Sequence, residues 1–217
     1  MFIQTLISNP GVAVCYIIAI LLSLVLHELA HGGVAYLMGD HTAKLQGRLS
    51  LNPLKHIDPI GFLSMLLVGF GWAKPVQIDP RNFKNYKDGM MLTSLAGPLT
   101  NFLLGTLGIL VIKFMPVSVD WISTFFIIFV QLNFMLAAFN ILPIPPLDGY
   151  KVVIRVLPDK LYVKALMIEG KLSFFLLLGL VITGLLRFIW VPVYNFLITI
   201  AGIITFSPGI ENIFKLF

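Results

Sequence analysis

The sequence predicts an all-α membrane protein, a polytopic helical bundle of about five to six transmembrane helices with a short re-entrant or β-like element near its active site. Three observations predict it. Of the 217 residues, 58% are hydrophobic and only 12% are charged, whereas a soluble domain carries about 45–50% apolar and about 25% charged residues. The apolar residues gather into long runs of about 20, the length a helix needs to cross the hydrocarbon core. The basic residues collect between those runs, the pattern of a chain oriented in a bilayer.

The elements follow in order. The first run covers residues 12–31; it is uninterrupted as far as His27, and Gly32-Gly33 follow. The second covers 91–114. The third covers 121–142 and stops at Pro143, which can neither donate a backbone bond nor continue the helix. Runs at 172–189 and 193–206 are separated by Pro192, which predicts a tight hairpin there. Residues 61–72, GFLSMLLVGFGW, are apolar but too few to span. They fit a re-entrant or interfacial element, since irregular backbone at membrane depth survives only against protein or a water-filled cavity; they equally fit a short buried helix. SLAGPLTN, residues 94–101, offers small residues where helices can approach closely. The whole reads as one membrane domain, 1–217, with a core at about 11–157 and a C-terminal hairpin at about 172–206. That hairpin carries no evident catalytic group and suits a lateral gate.

Charge sets an expected orientation. Lys44, Arg48, Lys55, Lys74, Arg81, Lys84 and Lys87 lie between the first two long runs. Lys151, Arg155, Lys160, Lys164 and Lys171 follow the third, while the connection from Lys113 to Asp120 is neutral. The positive-inside rule then places the N-terminus outside and the C-terminus in the cytosol. The net charge of +5 is modest, and the basic residues are not interleaved with aromatics, so nucleic acid is not an expected partner. The lone cysteine, Cys15, excludes an intrachain disulfide and a Cys-based metal site. The N-terminal run lacks a basic leader region and carries the motif below, so it is expected to persist in the mature protein.

That motif is His27-Glu28-Leu29-Ala30-His31, an HExxH pattern. Residues four apart on a helix share a face, so both imidazoles can grip one ion, with zinc the expected metal, one per chain. Glu28 then falls beside the open position, where it can take a proton from bound water and return it to a leaving amine. Ionisable groups inside an apolar helix are costly, and they mark function by default. A catalytic zinc usually takes three protein ligands. Asp148 is the best candidate for the third: it follows the third long helix, whose end lies at the same depth as the motif. Pro143, Pro145 and Pro146 hold the approach to it extended, and Gly149 permits close backbone approach. Alternatively Asp148 is an interfacial turn residue, and His27, Glu28 and His31 form only a polar network between helices.

HELAH on the first helix and PPLDG far downstream resemble the site-2 protease family of intramembrane metalloproteases. GRLSLNPLKHIDPIG, GFGWAKPV and SLAGPLTN, in that order, resemble its compact bacterial branch. The resemblance covers roughly residues 23–155 and implies zinc held by His27, His31 and Asp148 with Glu28 as base. The implied reaction is cleavage of transmembrane segments of other proteins within the bilayer. It also makes Asn140 a candidate donor to the substrate carbonyl, although Asn140 equally suits a bond between helices. The PDZ and CBS domains of many members find no room here, so control would lie in the core, a homo-oligomer or a regulatory membrane partner. Gly69 and Gly71 could leave a strand edge free to hold unwound substrate by β-augmentation. His56 reads as an interfacial structural histidine more readily than as a cleft residue. The alternative to an enzyme is a non-catalytic membrane protein with a structural metal site that binds transmembrane segments; such a site has no need of Glu28.

Overall fold

The computed structural model describes residues 8–68, 72–115, 121–168, 171–207, 209–210 and 214. Helix α1, Pro10–Leu37, starts where Asn9 Oδ1 accepts the Val12 N–H, with Pro10 in the first turn, where its missing N–H goes unneeded. The helix does not stop at Gly32-Gly33. A side chain at Gly32 would meet Leu49 Cδ2 at 2.6 Å, so this glycine serves close packing. The turn comes at Gly39, whose φ of +109° suits glycine. After it, Asp40 accepts hydrogen bonds from the Thr42 N–H, the Thr42 hydroxyl and the Asn82 amide, and from the Asp79 N–H. One buried carboxylate thus ties the end of α1 to the far end of the polar segment.

That segment holds α2 (Thr42–Leu45), a single tight turn at Pro53–Lys55 and α3 (Pro59–Val68). At 10 residues α3 is too short to span, as expected. Its Ile60 and Leu63 are exposed. Among the described residues the β-like feature is one antiparallel bridge, Ile57 to Ala73, with the Lys74 N–H donating to the His56 carbonyl at 2.8 Å. The stretch after it runs without regular structure to a turn at Pro80–Asn82.

Helices α4 (Tyr86–Phe114) and α5 (Trp121–Asn140) complete the core with α1. Asn85 caps α4 by accepting the Asp88 N–H. In lipid, apolar contact between helices gains little over contact with acyl chains, so small residues that let backbones approach decide the packing. Gly105 and Gly108 of α4 do this: added side chains would meet Phe134 at 2.8 Å and Val130 at 2.5 Å. The buried cluster of Ile109, Val130, Phe134, Tyr194 and Ile198 then fills the centre.

Short helices α6 (Asp148–Ile154) and α7 (Asp159–Ile168) follow, then α8 (Lys171–Ile182) and α9 (Arg187–Ile204). The break falls at 183–186, where Gly184 has a φ of +70°, and not at Pro192, which lies within α9. Pro192 is the sixth residue of α9, and proline is tolerated inside membrane helices where neighbours and local adjustment satisfy the freed backbone group. Among the described residues four helices, α1, α4, α5 and α9, are long and apolar enough to cross a membrane. The run expected at 172–189 is instead α8, whose 12 residues cover about 18 Å. It packs through Leu177 against Leu142, Leu147 and Leu186, all near one end of the bundle. α9 therefore starts at that end. It finishes at the other, where Lys113 Nζ of α4 donates to the carbonyls of Thr205 and Phe206. Cys15 near the start of α1 donates to the Trp121 carbonyl at that same end. The start of α1 and the finish of α9 therefore share one face.

Candidate metal centre

His27 and His31 lie one turn apart on α1, both buried, with Nε2 atoms 2.9 Å apart. Asp148, in the first turn of α6, brings Oδ2 to 3.3 Å from each of those nitrogens. The three groups form a cluster whose ligand atoms lie within 4.8 Å of one another. Asp148 gets there because α6 packs tightly on the end of α5. A side chain at Gly149 would lie 2.0 Å from the Ile141 carbonyl oxygen, so only glycine allows the approach. The Pro145–Pro146 peptide is cis. Side-chain exposure is 7% for His27, 9% for His31 and 17% for Asp148, so the carboxylate side is the open one.

The tautomers of both histidines follow from what surrounds them. A carbonyl only accepts, so Asn133 Nδ2 must face the Phe129 carbonyl at 2.8 Å, and it also reaches Ser23 Oγ at 2.9 Å. Asn133 Oδ1 then accepts from Asn101 Nδ2 at 2.9 Å, which turns Asn101 Oδ1 toward His27 Nδ1 at 2.6 Å. The proton is thereby assigned to His27 Nδ1. His31 Nδ1 faces the Thr93 carbonyl at 2.7 Å and carries its proton for the same reason. Both Nε2 lone pairs are left pointing into one small space with a carboxylate oxygen. Such a set repels itself unless a cation sits in it, and it fits a divalent ion of zinc type.

Glu28 makes a separate contact. Its Oε2 accepts the Val76 N–H at 2.7 Å, and among the described residues it is no part of the ligand cluster. Gly97 of α4 lies against the pair of imidazoles: a side chain there would meet His27 Cε1 and His31 Nε2, each at 2.5 Å. Sequence reasoning placed SLAGPLTN only as packing. It missed Gly97, Asn101 and the Thr93 carbonyl, along with Ser23, Asn133 and Val76. An asparagine at mid-helix in each of two apolar runs was the signal available.

The other expected residues lie elsewhere. Asn140, the last residue of α5, donates Nδ2 to the Leu136 carbonyl one turn back at 3.0 Å. Gly69 and Gly71 lie outside the described residues. His56 is buried and donates Nε2 to the Ser50 carbonyl at 2.8 Å. It also lines a mostly apolar groove of about 240 Å³ between α1 and α5, with Leu24, Val25, Trp72, Met135 and Trp190. Leu24 and Val25 precede His27 by less than a turn, so the groove leads toward the cluster.

Residues 115–180 match the model of peptidase family M50. "Putative zinc metalloprotease YwhC" of Bacillus subtilis is 37% identical over 209 residues, which cover 93% of this chain and 90% of that protein. "Putative zinc metalloprotease Rip2" of Mycobacterium tuberculosis H37Rv is 33% identical over 151 residues, 66% of this chain and 58% of that one. "Zinc metalloprotease MJ0392" of Methanocaldococcus jannaschii is 29% identical over 170 residues, 78% of this chain and 42% of that one. No solved structure matches the chain.

Proposed function

The chain belongs to peptidase family M50, and on that premise we propose that it is a zinc-dependent endopeptidase that hydrolyses peptide bonds within or near transmembrane segments of membrane proteins. The observation that carries the proposal is the convergence of His27 Nε2, His31 Nε2 and Asp148 Oδ2 beside a buried carboxylate that is not one of them. His27, His31 and Asp148 would hold one zinc ion. When bound, the zinc supplies a Lewis acid and lowers the pKa of its water to about 7.

The protein's own groups supply the rest. Asn101 and the Thr93 carbonyl keep the Nδ1 protons in place, so each imidazole presents a lone pair and holds its orientation. Glu28 is anchored through Oε2 by the Val76 amide, which leaves Oε1 to take a proton from the attacking water and pass it to the leaving nitrogen. Asn140 spends one amide hydrogen on Leu136 and retains a second for the substrate carbonyl oxygen. The apolar groove between α1 and α5 suits the side chains of an unwound membrane segment. Gly69 and Gly71, close in sequence to the Ile57–Ala73 bridge, are proposed to help hold its backbone. The basic segments on the side of α6 and α7 favour a cytosolic mouth in a bacterial plasma membrane. Control by a membrane partner or by a second copy belongs to the same proposal.

The decisive experiment compares wild type with Glu28→Gln in detergent against a panel of transmembrane peptides, with zinc measured on the same samples. Equal zinc and a loss of cleavage on the order of 10²- to 10⁴-fold is expected for removal of a general base. Equal cleavage by both proteins removes the mechanism. Peptides retained by both proteins and cut by neither would favour a binding protein with a structural metal site.

A further inference from the structure

Arg48 is a guanidinium with only 8% exposure, and among the described residues its partners are backbone carbonyls. It donates to the Lys55 carbonyl through Nη1, and to the carbonyls of Lys74 at 2.6 Å and Pro75 at 3.1 Å through Nη2. Taking a charge out of water is costly unless its donors are met, and the planar fork of arginine can meet several acceptors at once. Lysine, a point charge on a flexible stem, cannot span the same three.

The Pro75 carbonyl and the Val76 N–H belong to one peptide unit. That unit is planar and trans, so its C=O and N–H point in opposite directions. Its oxygen end is held by the Arg48 cation, and its N–H end is the group that anchors Glu28 Oε2 at 2.7 Å. A cation on one end and an anion on the other polarise the same unit, and each hydrogen bond strengthens its neighbour where water is excluded. The unit cannot rotate to release Glu28 without breaking the contact to Arg48. Lys74 adds a second tether, since its N–H is spent on the His56 carbonyl and its own carbonyl on Arg48.

We propose that Arg48 is a positioning residue for Glu28, acting through the peptide unit that joins Pro75 to Val76. This rests on Glu28 being the base, as proposed above. It assigns a task to a buried cation that touches neither the ligand cluster nor the groove.

The test uses the full chain in detergent as wild type, Arg48→Gln, Arg48→Lys, Glu28→Asp and the Arg48→Gln/Glu28→Asp double variant. Cleavage of a transmembrane peptide, zinc content and thermal unfolding are measured on each. Arg48→Gln is expected to keep wild-type zinc and a KM within about twofold, while kcat falls on the order of 10- to 100-fold, the loss that follows ångström-scale misplacement of a reacting group. Arg48→Lys should fall between. In the Glu28→Asp background, where the shorter carboxylate no longer reaches Val76, the same change at Arg48 should cost less than about threefold, because both changes act on one contact. An unchanged kcat in Arg48→Gln would overturn the proposal. So would loss of zinc from both Arg48 variants, or full additivity in the double variant. The underlying reading fails separately: Glu28→Gln that cleaves like wild type removes the base itself, whereas an inactive Glu28→Gln beside a fully active Arg48→Gln removes only the role of Arg48.

Discussion

Asn101 and Thr93 each meet a histidine Nδ1, but by different atoms, and the difference can be measured. Asn101 uses its side chain, so Asn101→Ala leaves the His27 proton without an acceptor and loosens the ring. A fall in zinc affinity of about 10- to 100-fold is expected from competition with a chelator. Thr93 uses its backbone carbonyl, while its buried hydroxyl has no partner among the described residues. Thr93→Val should therefore bind zinc like wild type and melt no lower, since removing an unsatisfied buried hydroxyl relieves a penalty. Asp40 supplies a pH test away from the membrane. Burial alone would raise its carboxyl, but the hydrogen bonds from Thr42, Asn82 and the Asp79 N–H outweigh it and hold the group below the ordinary range of about 3.9. Its stabilisation is thus present above that value and lost as pH falls through the lower folded-state value. Asp40→Asn should melt below wild type at neutral pH, and the gap should close under acid conditions; a gap independent of pH would contradict this.

Two helices must touch almost without side chains for the cluster to exist. α1 supplies both imidazoles and α4 backs them with Gly97, where even a methyl group would lie 2.5 Å from each ring. Gly97→Ala is expected to abolish zinc binding while leaving helix content by circular dichroism near wild type, because Gly105 and Gly108 still seat α4 on α5. Pro98, the next residue, removes one backbone donor inside α4; buried surroundings of this kind tolerate a proline at membrane depth. The segment of residues 74–79 shows the opposite logic. It forms little regular structure, and it is held instead by side chains at defined points: Arg48 at 74 and 75, Glu28 at 76 and Asp40 at 79.

Among the described residues, four long helices, with the short α6, α7 and α8 between the last two, leave the start of α1 and the finish of α9 on one face. The candidate site lies toward the opposite face, where α5 ends and α6 begins. Single cysteines at Asn9 and Ser207, in a Cys15→Ser background, should therefore react with an impermeant maleimide from the same side of sealed vesicles. A cysteine at Lys160 should react from the other side. Labelling of Ser207 with Lys160 would restore the five-crossing arrangement that the apolar runs alone suggest.

Composition and run length determined that this is an α-helical membrane protein, because the cost of an unpaired backbone in lipid leaves few alternatives. Helical periodicity determined that His27 and His31 share a face, and the prolines after Leu142 determined where α5 stops, since both effects are local. Only the tertiary structure decided which protons those histidines carry, because Asn101 and Thr93 lie 74 and 62 residues from them. It alone decided that Val76 holds Glu28 and that Arg48 holds the same peptide unit. It also decided that α8 stops short, where hydropathy saw a full span. A pattern along the chain records which side chains a neighbour would welcome; it does not record which neighbour arrives, and here that depends on glycines that leave room and on hydrogen bonds closed between distant helices.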